Sequence, residues 1–211
     1  MLPASYATLE SAQEKAEAIM ALEETRLIEI LRNPEASEFA KAKACQRLAV
    51  IGTKDAIPVL AAMLADQKFA HYARFGLEPI PDSSVDDALR QALAQLKGRL
   101  QVGVINSIGQ RKDSKAVATL AKLLDGSNTE VAAAAAAALG RIGGLEAARE
   151  LQKALEYTQT VAGACLECSE GLLAQGWKEQ ALALYEALLS RKDLPKALQL
   201  AAARGRESAR K

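Results

Sequence analysis

Residues 48–60 read LAVIGTKDAIPVL and contain a complete junction between two helices. Gly52 is of a type that ends helices, and Asp55 can cap the next helix, whose first turn tolerates Pro58. Leu60 begins a pair of leucines spaced four residues apart, which places both side chains on one face of that next helix. The stretch therefore predicts a helix, a tight turn and a second helix.

The same pair of leucines recurs along the whole chain at offsets of 29 to 33 residues. The six pairs are Leu27/Leu31, Leu60/Leu64, Leu89/Leu93, Leu120/Leu124, Leu151/Leu155 and Leu184/Leu188. A second hydrophobic position lies 12 to 15 residues before five of these pairs, at Leu48, Phe75, Ile105, Leu139 and Leu172. Each of these is followed by a residue that ends helices, at Gly52, Pro79, Gly109, Gly143 and Gly176. Such a period indicates an array of helical hairpins.

We therefore predict an all-α fold, a right-handed α-α superhelix of about five to six hairpins in which short helices gain stability by stacking. A single solenoid domain is expected over residues 1–211. Its repeats are expected at 6–33, 38–66, 69–97, 99–126, 129–157 and 161–192, with a partial repeat at 195–205. The Glu-rich stretch from Tyr6 to Leu22 is expected to cap the N-terminal end. The partial repeat either caps the other end or indicates a piece of a longer protein, and we favour the second.

Composition excludes several other classes of protein. Half of the 211 residues are hydrophobic, a quarter are charged and the net charge is +1, which argues against a disordered chain. The charged residues interrupt every apolar run before the ~18 residues of a membrane span. Three cysteines do not make a disulfide-stapled fold. The absence of a signal peptide favours the cytoplasm, unless the chain is a fragment of an exported protein.

Residues 48–60 and the stretch ALGRIG at 138–143 resemble HEAT repeats of the short, roughly 30-residue kind that is also found in phycobilin lyases. The resemblance extends over about residues 20 to 205. Residues 69–100 are similar to HEAT modules of large multidomain proteins of planctomycete and verrucomicrobial type. The resemblance implies an α-solenoid that serves as a scaffold, with a protein or peptide as its partner and without a catalytic site.

In a solenoid, the second helices of successive hairpins line a concave face that offers a binding surface. We expect the partner to bind there, and we expect no cofactor and no metal. The residues predicted on this face are Arg90, Gln91, Lys115, Lys122, Arg149, Lys153 and Glu179. Arg74 is a further candidate, because it forms a polar stripe with His71 and Glu78. That stripe is interpreted either as a binding edge or, preferably, as an ordinary ion pair between residues four apart.

Other conspicuous residues are interpreted as structural. Cys165 and Cys168 have C-x-x-C spacing, but there is no second ligand pair for zinc, so we predict that they lie in the core. The alanines of 132–138 are expected to let helices approach closely, and Gly140, Gly143 and Gly144 are interpreted as helix ends. Trp177 is either an exposed anchor for a partner or packed between repeats, and packing is favoured.

Two alternative functions stay open. The first is a lyase acting on a tetrapyrrole, as the resemblance to phycobilin lyases implies. The second is nucleic-acid binding, because the stretch from Lys97 to Lys122 and the C-terminal tail are basic. Aromatic side chains for base stacking are scarce, at 4% of the sequence, so a nucleic acid is disfavoured as a partner. The sequence does not determine the oligomeric state.

Overall fold

The structure, a computed structural model, describes residues 13–156 and 158–211. These residues form α-helices and three short 3-10 helices, with no strand among them. The helices are α1 (13–20), α2 (Glu24–Arg32), α3 (Glu38–Ile51), α4 (Ile57–Ala62), α5 (Ala70–Leu77), α6 (Ser84–Gln95), α7 (Gly98–Arg111), α8 (Val117–Ala121), α9 (Thr129–Ile142), α10 (Gly144–Leu155), α11 (Ala162–Ala174), α12 (Lys178–Ser190) and α13 (Lys196–Arg210). The 3-10 helices are Lys54–Ala56, Met63–Ala65 and Ser114–Ala116.

The chain divides into two compact units, an N-terminal unit up to Leu96 and a C-terminal unit from Lys97 onward. In the N-terminal unit, α3 packs against α5 in one layer, and α4 packs against α2 and α6 in the other. α2 also packs on α3, and α4 on α5, which joins the two layers. This arrangement is a set of helical hairpins stacked side by side, as the leucine period predicts.

The C-terminal unit repeats this arrangement over more helices. α7, α9, α11 and α13 pack in sequence in one layer, and α8, α10 and α12 pack in sequence in the other. The all-α helical-repeat fold is therefore confirmed, whereas one continuous solenoid through both units stays a prediction. The start of the first predicted repeat, at residues 6–12, and the end of the fifth, at residue 157, lie outside the described residues.

The six leucine pairs form the core of the second-helix layer. All twelve side chains are at most 6% exposed, which confirms the prediction from their spacing. Two of the helices that carry them are shorter than expected. α4 ends at Ala62 and α8 at Ala121, so Leu64 is buried in the 3-10 helix that follows α4, and Leu124 in the turn that follows α8.

The second hydrophobic register is correct at four of its five positions. Leu48, Ile105, Leu139 and Leu172 are completely buried, but Phe75 is 54% exposed. α5 buries Ala73, Gly76 and Leu77 instead, and Phe75 lies on the opposite side of the helix. Phe75 therefore differs from the other four positions of this register, which are buried.

The turns end helices by several devices. Gly52 follows the last residue of α3, and Gly143 and Gly176 adopt positive φ values of 66° and 83° after α9 and α11. These conformations favour glycine and agree with the predicted helix ends. The cap at the first junction differs from the prediction. Thr53, and not Asp55, caps the 3-10 helix, its hydroxyl oxygen accepting a hydrogen bond of 3.3 Å from the Asp55 N–H.

Two glycines interpreted as helix ends lie inside helices. Gly109 is buried within α7 and Gly140 within α9. A Cβ atom on Gly109 would lie 2.8 Å from the Cα of Ala138, and one on Gly140 would lie 3.0 Å from the Cα of Ala164. The absence of a side chain lets the first helices of neighbouring hairpins approach closely, so the prediction that these two glycines end helices is wrong.

The alanine run serves the same close packing. Within residues 132–138 of α9, five of the seven alanines are buried. α9 lies between α7 and α11, so it needs small side chains on two sides. The structural interpretation of this run is confirmed.

Arg191 connects three segments at one end of the C-terminal unit. Its guanidinium donates hydrogen bonds of 2.9 and 2.7 Å to the two carboxylate oxygens of Asp193 and a further one to the carbonyl oxygen of Leu155. The side chain of Gln159 donates to the same carboxylate over 2.6 Å. The hydrogen bonds from Arg191 hold the pKa of Asp193 below its usual range. This cluster joins the end of α10 and the loop after it to the loop between α12 and α13.

We predict opposite effects for Gly109→Ala and Gly171→Ala. A methyl group at position 109 must displace the backbone of α9, which we expect to cost about 1–3 kcal/mol. At position 171, within α11, an added Cβ would meet no described atom within 4 Å apart from its chain neighbours and the nearby backbone of its own helix. There the higher helix propensity of alanine should raise the free energy of unfolding by about 0.5–1 kcal/mol. Urea unfolding of the two variants and the parent measures both effects, and stabilisation by Gly109→Ala would contradict the close approach.

Candidate functional site

A groove of about 400 Å³ lies in the C-terminal unit where the end of α8 faces α10. Its apolar surface consists of Ala118, Ala121 and Leu124. α8 stops early, at Ala121, and the chain then turns towards Asn128, whose side chain accepts hydrogen bonds from the N–H groups of Glu130 and Val131 and caps α9. Because α8 is short, an open groove exists beside α10.

Four charged side chains line the groove. They are Lys122 and Asp125, which follow α8, together with Glu150 and Lys153 of α10. Two cations and two carboxylates give the lining no net charge. The groove therefore offers donors and acceptors of both signs around a small apolar floor.

The sequence of α10 places Lys153 on the exposed side of the helix. Its buried face is made by Ala147, Ala148, Leu151, Ala154 and Leu155. Lys153 lies on the opposite side, and Arg149 precedes it by four residues on the same exposed face. Arg149 does not line the groove.

The predicted residues of the second-helix face thus occupy several places. The structure brings Lys122 and Lys153 together. Lys115 is exposed in the 3-10 helix before α8, and its N–H donates to the capping carboxylate of Asp113 over 3.1 Å. Arg90 belongs to α6 of the N-terminal unit, where its guanidinium forms an ion pair with Asp87. Their role in binding stays a prediction.

Arg74 lines a separate pocket of about 240 Å³ in the N-terminal unit. Gln46 of α3 and five residues of α5 and its end form this pocket, namely His71, Tyr72, Arg74, Phe75 and Glu78. The Nη1 atom of Arg74 lies 4.0 Å from Oε1 of Glu78, which is the predicted pair of residues four apart. The rings of His71 and Tyr72 have centroids 3.8 Å apart. The polar stripe therefore borders an aromatic surface, which the sequence pattern alone does not indicate.

Trp177 is 44% exposed, so the preferred expectation that it packs between repeats is wrong. The positive φ of Gly176 redirects the chain after α11. The Trp177 N–H then donates to the carbonyl oxygen of Leu172 over 2.9 Å. This turn holds the indole at the start of α12, outside the packed layers.

The three cysteines are free thiols in the core, which confirms the structural interpretation of the C-x-x-C pair. Cys165 and Cys168 are completely buried in α11, and Cys45 is completely buried in α3. Burial raises the pKa of Cys45 and of Cys165 to about 12 and that of Cys168 to about 11. Within residues 13–156 and 158–211, no group of three or more His, Cys, Asp or Glu side chains is placed to hold a metal ion.

No helix in the part of the chain that the structure describes is long and apolar enough to cross a membrane.

Comparisons with known proteins place the fold in a class. Residues 86–167 match the family model described as HEAT repeats. The structure is similar to the crystal structure of an engineered protein from the Northeast Structural Genomics Consortium, with a TM-score of 0.53 and 20% sequence identity. The similarity covers 88% of this chain and 95% of the engineered one. No curated protein matches the chain. The chain thus has a helical-repeat scaffold fold and resembles HEAT-repeat proteins.

The raised thiol pKa values predict both low reactivity and a dependence of stability on pH. In the native protein at neutral pH, the three cysteines should resist a thiol-specific reagent, whereas an exposed cysteine introduced by Ser127→Cys should react at once. Above the ordinary thiol pKa of about 9, the unfolded chain loses protons that the native state keeps up to about 12. The thiol contribution to the free energy of unfolding should therefore be complete below pH 9 and disappear as the pH rises towards 12.

Timed alkylation of native and urea-unfolded protein measures the first effect, and urea titrations at pH 8 and above measure the second. Reaction of Cys165 and Cys168 at the rate of the introduced cysteine would contradict their burial.

Proposed function

We propose that this chain is a non-catalytic scaffold that binds a protein or peptide through the second-helix layer, which in a solenoid lines the concave face. The groove between α8 and α10 is the observation that carries the proposal. Extended surfaces made by successive second helices are the general mode of binding in helical-repeat proteins. The match of residues 86–167 to HEAT repeats includes both helices of the groove and supports this mode.

The chemistry of the groove suits a peptide segment. Ala118, Ala121 and Leu124 leave space for one apolar side chain. Lys122 and Lys153 can form ion pairs with a carboxylate of the peptide, and Asp125 and Glu150 can form ion pairs with one of its cations. A bound segment with an apolar residue between charges of opposite sign would satisfy all of these groups.

The same charges favour a peptide over a nucleic acid. A phosphate backbone that approached the two lysines would also meet the carboxylates of Asp125 and Glu150. Binding to nucleic acid is supported by an excess of cations that neutralise phosphates, and this groove has no such excess.

The test uses peptides selected from a random display library against the full chain. We expect selected peptides to lose about tenfold or more in affinity for Lys122→Glu or Lys153→Glu, because each change removes a cation from the groove and adds a carboxylate. Lys196→Glu, an equal change of charge at the exposed start of α13, is the matched control and should leave the affinity unaltered. Titrations of labelled peptide by fluorescence anisotropy give the affinities.

Two results would contradict the proposal. Selected peptides that bind the groove variants as tightly as the parent would place the binding surface elsewhere. Failure to select any peptide, together with tight and salt-dependent retention of the parent on heparin, would favour the nucleic-acid alternative.

A further inference from the structure

The outer surface of the first helices in the N-terminal unit has an unusual concentration of apolar side chains. Among the described residues, five large hydrophobic side chains are exposed, and three of them lie on α3 and α5. These are Phe39, Val50 and Phe75, which are 42%, 72% and 54% exposed. Single exposed apolar residues are common on protein surfaces, whereas a group on adjacent helices indicates a contact surface.

The three side chains belong to one connected face. On α3, the residues Phe39, Lys43, Gln46 and Val50 are spaced by four, three and four positions and so share one side of the helix. Ala44, Cys45 and Leu48 occupy the buried side. Gln46 also lines the pocket that contains Phe75, which connects the two helices. We call this surface the aromatic face, and it consists of Phe39, Lys43, Gln46, Val50, His71, Tyr72 and Phe75.

The size of the aromatic face matches a short helix. From Phe39 to Val50, the stripe on α3 extends for about 16 Å at 1.5 Å per residue. A partner helix of about three turns would cover it with apolar residues at positions i, i+3, i+4 and i+7. The pocket beside Gln46 and Phe75, of about 240 Å³, has room for one of those side chains.

The charges around the aromatic face indicate the sign of the charge that a partner carries. Lys43 lies on this face and Arg47 next to it, and residues 39–50 contain no acidic residue. The carboxylates at the border already form ion pairs, Glu38 with Lys68 over 2.5 Å and Glu78 with Arg74. The ammonium of Lys43 donates a hydrogen bond to the neutral side chain of Gln46. It also lies 5.8 Å from the ring centroid of Phe39. The border therefore carries an excess of positive charge next to the aromatic rings.

From the aromatic residues and this excess of cations, we infer that the aromatic face of α3 and α5 docks an acidic amphipathic helix of a partner protein. The apolar side of that helix would cover Phe39, Val50 and Phe75, and its carboxylates would lie beside Lys43 and Arg47. This surface belongs to the first-helix layer of the N-terminal unit. It is thus additional to the groove of the proposed function and does not depend on it.

Two synthetic peptides of about 18 residues test the inference, a length that allows helix formation on binding. One has leucines on one helical side and glutamates elsewhere, and the other has lysines in place of the glutamates. We expect the parent chain to bind the glutamate peptide at least about tenfold more tightly than the lysine peptide, because charges of opposite sign favour association. Fluorescence anisotropy measures both affinities.

Three variants locate the binding. Phe75→Ser should weaken binding of the glutamate peptide about tenfold, because it removes an exposed ring that lines the pocket of this face. Lys43→Glu should reduce or reverse the preference between the two peptides. Trp177→Ser removes an exposed aromatic residue from the C-terminal unit and is the matched control, with no expected effect. All three positions are exposed or half-buried, and circular dichroism verifies that each variant keeps its helix content.

Several results would overturn the inference. The glutamate peptide could fail to bind, could bind no better than the lysine peptide, or could bind Phe75→Ser as tightly as the parent. Sedimentation of the parent alone provides a further test. A dimer that dissociates on Phe75→Ser would show that a second copy of this chain, and not an acidic partner, covers the face.

Discussion

The close approach of the first helices is the constraint on which the rest of the structure depends. A Cβ added to Gly76 of α5 would lie 3.2 Å from the carbonyl oxygen of Cys45. One added to Gly109 or Gly140 would lie still closer to Ala138 or Ala164. Each contact joins one first helix to the next. Leu48, Ile105, Leu139 and Leu172 are completely buried on the first helices, and the leucine pairs of the second helices add twelve buried leucine side chains. The first-helix layer thus combines close spacing with apolar burial, whereas the second-helix layer depends on its leucine pairs.

This division explains which parts of the fold the sequence predicts. Leucines at i and i+4 with a period of about thirty residues have few interpretations, and all six pairs are buried as predicted. A glycine has two interpretations, since it can end a helix or permit the close approach of a neighbouring helix. Gly52 and Gly143 have the first role, whereas Gly109 and Gly140 have the second. Only the position of the neighbouring helix distinguishes these roles, and one sequence does not contain that information.

The same reasoning applies to the candidate surfaces. Lys122 and Lys153 were predicted on the second-helix face, and the structure places them in one groove. The accompanying Asp125 and Glu150 were not predicted, because which side chains of two hairpins meet depends on how α8 ends. The aromatic face was missed for another reason. Phe75 shares the sequence register of buried residues such as Leu48 and Ile105, whereas the helical period of Ala73, Gly76 and Leu77 places it outside the core.

Surface positions in such a fold are free to specialise because each hairpin contacts mainly its neighbours. Residues in the buried stripes pack against two adjacent helices, so substitutions there change the free energy of unfolding. Phe39 and Val50 lie opposite the stripe of Ala44, Cys45 and Leu48, and neither contributes to the buried core. Packing therefore gives no reason for an aromatic or β-branched side chain at these positions, where a charged residue would be better solvated. An apolar residue at such a position is explained more directly by a contact that the chain makes with another molecule.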